Sequence, residues 1–147
     1  MPFIASWPGK IKAKTVSKTP IVALDVLGTL AAITNQKIEE NQANDSASLL
    51  PILLGENNAD VHPFLMTQSG TGKEGIIIKD GWKLIISFDK KDKTGATRTP
   101  KALFNLNENV EENEQQNLVH NPKYALKIKT LFTAYNTTRK SGVSTKI

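Results

Sequence analysis

The 147-residue sequence contains no cysteine. That excludes disulfides, thiolate zinc sites and cysteine nucleophiles together. Long apolar runs are also missing. None approaches the ~20 residues that a membrane-spanning helix needs, so no membrane partner is expected. Met1 to Pro8 lacks a basic stretch followed by an apolar run, so no secretory leader is expected there. Histidine is scarce: His62 and His120 stand far apart with no second ligand cluster, which is poor support for a metal site. Charge of one sign does not dominate. Lysine and arginine number 19 against 14 acids, a net +5. Such a balance permits attraction to nucleic acid, anionic lipid or a sulfated polymer without choosing among them. The lysines are scattered, and Glu111, Glu112 and Glu114 interrupt them. They read as solubility and local ion pairs, with no nucleic-acid partner.

What is present reads as α/β passing into α+β. Phe3 to Trp7 is a short apolar run closed by Pro8-Gly9, expected as a buried strand ending in a turn. Ile21 to Leu24 is again strand-like. Asp25 is placed to cap a helix over Val26 to about Ile33, with Leu27, Leu30 and Ala31 on one face and Asn35 as terminator. Pro51 marks the start of a short helix that Gly55 closes. From about Asn57 the character changes. Ile76 to Lys79 and Trp82 to Phe88 flank Asp80-Gly81, a strong hairpin signal because type I′ turns need positive φ at both central residues. Trp82, Leu84, Ile86 and Phe88 share one face of that hairpin. Ala102 to Leu106 is a further strand. Asn121-Pro122 starts a helix to about Thr138, with Tyr124, Ile128, Leu131, Phe132 and Tyr135 forming one apolar stripe. The tail from Ser141 is expected to fray. The chain divides into 1–57, strands and short helices without enough neighbours to bury them, and 58–147, a small antiparallel sheet packed by a C-terminal helix.

Several motifs have plain readings. Gly70-Thr71-Gly72-Lys73 is not a phosphate loop, since the earlier glycine falls at Thr67 and Glu74 follows the lysine. Asp60 and His62 form a lone Asp-x-His pair. Asp25 reads as a helix cap, and His120 as a surface residue. Trp7 and Trp82 read as core residues rather than sugar platforms. Asn44-Asp45-Ser46 and Asn136-Thr137-Thr138 fit the glycosylation pattern, which matters only in a eukaryotic secretory context.

In order along the chain, Pro2-Phe3-Ile4-Ala5-Ser6-Trp7-Pro8-Gly9-Lys10-Ile11, Thr15-Val16-Ser17, Leu24-Asp25-Val26-Leu27-Gly28-Thr29-Leu30, Ser48-Leu49-Leu50-Pro51-Ile52-Leu53-Leu54-Gly55, Ile78-Lys79-Asp80-Gly81-Trp82-Lys83-Leu84 and Leu103-Phe104-Asn105-Leu106 with Glu112 and Asn117-Leu118 resemble successive blocks of sulfatases of the arylsulfatase type. Each block alone is weak; their order over nearly the whole chain is specific. The sequence departs from the pattern at Lys14 (usually Gly), at Gly28 (usually Pro), and at Asn105, Asn109 and Val110 (usually Asp, Asp and Pro). A histidine often found ahead of the hairpin is replaced around Thr67-Gln68-Ser69.

The resemblance implies the C-terminal portion of an alkaline-phosphatase-like fold. In the full-length family a formylglycine made within a Cys/Ser-x-Pro-x-Arg motif and a divalent cation, usually calcium, cleave sulfate esters. Those elements precede the Trp-Pro-Gly block. The expectation is therefore a part without catalytic or metal-binding residues, inactive alone, whose partner is the N-terminal half and whose family substrate is a sulfated ester or glycan. Ser6-Trp7-Pro8-Gly9-Lys10 is a near miss to the modification motif, lacking its arginine. Ser69 and Lys73, on the loop into the hairpin, are expected at the rim of the substrate cleft. Full-length relatives are expected to be periplasmic or secreted. The alternatives are a non-catalytic basic module for sulfated glycans, or a gene fragment without function.

Overall fold

The computed structural model describes residues 3–39, 42–56, 61–89, 91, 97–108 and 110–142. Asp60, Asn109 and the tail after Gly142 lie outside those residues. The chain packs as two units, one up to Pro63 and one from Phe64 onward.

The first unit holds helix α1 (Asp25–Ile33) and the one-turn helix α2 (Leu50–Leu53) joined by irregular chain. α1 stops as expected at Asn35, whose φ is +53°. The Gln36 N–H reaches the Ala31 carbonyl (2.9 Å) and the Asn35 N–H the Ala32 carbonyl (3.4 Å), the two bonds of a Schellman end. Pro51 sits in the first turn of α2, where its missing N–H costs nothing.

Three expectations for this unit need correcting. Phe3 to Trp7 and Ile21 to Leu24 form no strands. A strand needs a neighbour for its N–H and C=O groups, and among the described residues no other segment of this unit is extended and paired. Trp7 instead opens a turn, its carbonyl accepting from the Lys10 and Ile11 N–H groups at 3.0 and 2.9 Å. Asp25 is not a cap but the first residue of α1, and no side chain caps that helix at Leu24. The apolar face of α1 points outward: Leu24, Leu27 and Leu30 are 59, 56 and 53% exposed, while Asp25, Gly28 and Thr29 are buried.

The second unit is α+β. Strands β1 (Leu65–Gln68), β2 (Glu74–Lys79), β3 (Trp82–Ser87) and β4 (Thr99–Asn105) form one antiparallel sheet in chain order. Asp80 and Gly81 have φ of +52° and +75°, the type I′ turn that their sequence predicts. Helix α3 (Ala125–Ser141) crosses one face. A 3₁₀ turn at Pro122–Tyr124 leads into it, with the Asn121 carbonyl oxygen Oδ1 accepting from the Lys123 N–H at 3.1 Å. Ile77, Leu84, Ile86 and Leu103 from the sheet meet Leu131 and Tyr135 from α3 in the core. Tyr135 lies so close over Gly75 that a Cβ there would fall 2.0 Å from its hydroxyl. The anticipated α3 stripe is thus the packed one, with Tyr124, Ile128 and Phe132 against the same core.

β1 is a strand for which the sequence pattern carries no expectation. β4 begins at Thr99, earlier than expected, and includes Pro100 beside an irregularity opposite Ile85 and Ile86. Proline is tolerated at such edge and bulge positions. The outer edge of β4 is covered. Leu103 N–H donates to the Asn117 side chain (3.1 Å), and Leu118 N–H donates to the Leu103 carbonyl (2.9 Å). Covering an edge removes a template for unwanted strand pairing.

Candidate functional site

Two places in the chain gather chemistry-bearing side chains. The first is a buried polar cluster around Asp25. The start of α1 brings the carboxylate inward, where it is fully buried. His62 Nε2 lies 2.9 Å from both of its oxygens, and the histidine side chain is only 4% exposed. Val22 N–H donates to Oδ2 at 2.9 Å and Ala47 N–H to Oδ1 at 3.0 Å. An ionised carboxylate only accepts, so this arrangement places a hydrogen on Nε2. Two hydroxyls extend the cluster. Ser46 Oγ accepts from Gly28 N–H (2.8 Å) and donates to the Leu24 carbonyl (2.7 Å). Thr29 Oγ1 donates to the Asp25 carbonyl (2.6 Å) and accepts from Leu49 N–H (2.8 Å).

This constellation joins an acid, a histidine and two hydroxyls, but it does not form a catalytic relay. Each hydroxyl is engaged by backbone groups, and neither bonds to His62. The cluster is a clasp: Asp25 ties together residues 22, 47 and 62. It also accounts for Gly28. A Cβ at that position would sit 2.8 Å from Ser46 Oγ and 3.0 Å from the Ala47 carbonyl carbon and oxygen. Glycine lets the start of α1 lie directly against the Ala47 backbone, where a side chain would collide. Sequence reading missed the pair, since nothing in the spacing links Asp25 to a histidine 37 residues on. Ser46, the third residue of the Asn44-Asp45-Ser46 pattern, is buried inside the clasp.

The second place is the loop between β1 and β2. Ser69 and Lys73 do fall together, at the two ends of one tight turn. Ser69 N–H donates to the Glu74 carbonyl at 2.9 Å, and Gly72 N–H to the Ser69 carbonyl at 2.8 Å. The Ser69 and Thr71 hydroxyls lie 3.0 Å apart, and the Lys73 side chain is exposed. The loop leads into a strand, not a helix, which removes the geometry a phosphate loop needs. It presents two hydroxyls and one ammonium to solvent, groups able to contact an anion. His120 is exposed, as expected. Trp82 packs on Tyr124, their ring centroids 5.1 Å apart and tilted by 47°, and contributes to the core.

Among the described residues no three His, Cys, Asp or Glu side chains come together to hold a metal ion.

No protein-family profile matches the chain. It is 30% identical over 89 residues to an N-acetylgalactosamine-6-O-sulfatase of Bacteroides thetaiotaomicron, covering 60% of this chain and 17% of that protein. It is also 30% identical over 70 residues to Arylsulfatase D of Homo sapiens, covering 48% of this chain and 12% of that protein. The chain is thus similar to sulfatases over part of its own length and a small part of theirs.

Proposed function

We propose that this chain is the C-terminal part of an arylsulfatase-type sulfuric ester hydrolase, with an alkaline-phosphatase-like parent fold, and that it does not hydrolyse sulfate esters alone. In this reading its partner is the half of the enzyme that carries the formylglycine and the cation. The substrate is a sulfated ester or glycan, and Ser69 and Lys73 stand at the rim of the cleft. The ordered sequence blocks, the two partial similarities and the sheet-plus-helix unit support the relationship.

One observation carries the reading. In the first unit several large apolar side chains face out, while Asp25, Thr29 and Ser46 are buried. Phe3 and Ile4 are 52 and 89% exposed, alongside the outward leucines of α1. Phe3, Ile11, Ile21, Leu49, Ile52 and Leu53, together with Thr15, Ser17 and Thr19, line an open groove of about 500 Å³. A surface built to lie against a large sheet accounts for this arrangement.

The test is an assay of the pure chain with an aryl sulfate, alone and after co-expression with an upstream sulfatase segment bearing the Cys/Ser-x-Pro-x-Arg motif. No turnover is expected alone, and turnover together with co-purification is expected for the pair. Hydrolysis by the unaccompanied chain would overturn the reading.

A further inference from the structure

The net charge of the chain sits almost entirely in its opening stretch. The residues before Asp25 hold four lysines, Lys10, Lys12, Lys14 and Lys18, and no acid, against 15 basic and 14 acidic residues in the rest. All four are exposed, and among the described residues none is in an ion pair. They stand next in the chain to residues that line the groove of the first unit. Ile11 lies between Lys10 and Lys12, Thr15 follows Lys14, and Ser17 and Thr19 stand on either side of Lys18. The lining residues alternate. Phe3 and Ala5 face the groove while Ile4 between them is 89% exposed. Thr15, Ser17 and Thr19 face it while Val16 is 89% exposed. A period of two is that of an extended chain. Yet among the described residues no backbone N–H or carbonyl of residues 3–6 or 15–18 takes part in a backbone hydrogen bond. The Thr19 hydroxyl accepts from Ser17 at 3.1 Å, which leaves its own hydrogen to donate.

Two extended segments thus border an apolar groove with their backbone groups unmatched and only cations beside them. We propose that this groove takes an extended acidic segment of polypeptide by strand addition. The segment's backbone pairs along residues 15–18. Its apolar side chains enter the groove among Ile11, Ile21 and Leu53, and its carboxylates meet Lys12, Lys14 and Lys18. In such sites main-chain pairing supplies affinity and the alternate side chains supply selectivity. A carboxylate only accepts, which suits both the ammonium groups and the Thr19 hydroxyl. A fatty acyl chain would fill the apolar part of the groove but leave the backbone groups of both segments unmatched. The occupant is a segment of the upstream half of the enzyme. That assignment rests on the reading above, which itself requires neither strand pairing nor an acidic partner surface.

The experiment is a fluorescence-anisotropy titration of the full chain into dye-labelled short peptides. One alternates glutamate and valine, a second lysine and valine, and a third is the first with every backbone N–H methylated. Saturable, salt-sensitive binding of the glutamate–valine peptide is expected, with little binding of the other two. Affinity should fall about tenfold in Lys12→Gln/Lys14→Gln/Lys18→Gln, since exposed ion pairs contribute little singly but add over three. Lys123→Gln/Lys129→Gln/Lys140→Gln removes the same charge from exposed positions of the second unit and should leave affinity unchanged. No saturable binding, equal binding of the lysine or methylated peptide, equal loss in the second triple variant, or displacement by oleate at lower concentration than by unlabelled peptide would overturn the proposal. If the acidic peptide fails to bind while the co-expressed pair turns over aryl sulfate, this inference falls and the sulfatase reading stands. Peptide binding beside an inactive pair upholds the strand site and removes its assignment to the upstream half.

Discussion

Asp25 shows how a single side chain can organise a segment that has little apolar core. It is fully buried and accepts from two backbone N–H groups as well as facing His62. Asp25→Ala should destabilise the first unit by about 1–3 kcal/mol for each donor left without an acceptor. Urea unfolding followed at Trp7, in a Trp82→Phe background, measures it. Gly28→Ala sets two effects against each other. Alanine gains about 1 kcal/mol of helix propensity. The new Cβ collides with Ser46 and the Ala47 backbone, and overpacking of this kind costs about 1–3 kcal/mol. The backbone atoms cannot swing aside, so net destabilisation is expected in the same measurement. Lys101 lies beside Glu74, and the hydrogen bond and charge of that carboxylate raise the lysine above its ordinary range. A cation whose folded pKa is raised contributes its full share below the unfolded value and loses it as pH rises through the folded one. Stability should therefore show a small alkaline decline that Glu74→Gln removes. The contribution is slight, because the lysine is exposed.

Elements differ in how far local sequence dictates them. Asp80-Gly81 encodes its turn in two residues, and Asn121-Pro122 encodes a helix start in two more; both were readable because the information is local. The stripe of α3 was readable because five apolar residues repeat at the helical period. Leu131→Ala, at the centre of that stripe, should cost about 2–5 kcal/mol in denaturant unfolding of the second unit followed at Trp82. β1 was not readable. Leu65–Gln68 is four residues long and mixed in character, and it is a strand because Ile76, Ile77 and Ile78 offer it partners. Phe3 to Trp7 failed in the opposite direction: strand-like in composition, it has no partner strand among the described residues. Strand character depends on pairing, and pairing is not written in a window of five residues. The Asp25–His62 clasp stayed hidden for the same reason. The Ser69–Lys73 turn could be named as a loop, but its role depends on what lies opposite it.

At the level of the whole molecule the two units differ in what they bury. The second has an apolar core between sheet and helix. The first buries a polar clasp and leaves several large apolar side chains exposed. Replacing Leu27 and Leu30 by lysine should leave the stability of the first unit nearly unchanged, since both side chains are more than half exposed. It should also reduce self-association, which light scattering across a concentration series would register. The order of the strands has a further result, one concerning time. Each strand of the sheet needs to find only the one made just before it, and α3 then closes over a surface already assembled. Topologies with such short-range connections fold fast. The clasp must instead gather residues 22, 25, 47 and 62 from irregular chain, with few apolar contacts to guide the search. Trp82 should accordingly reach its native fluorescence well ahead of Trp7 in a refolding jump, so that the sheet is complete while the opening third of the chain is still searching.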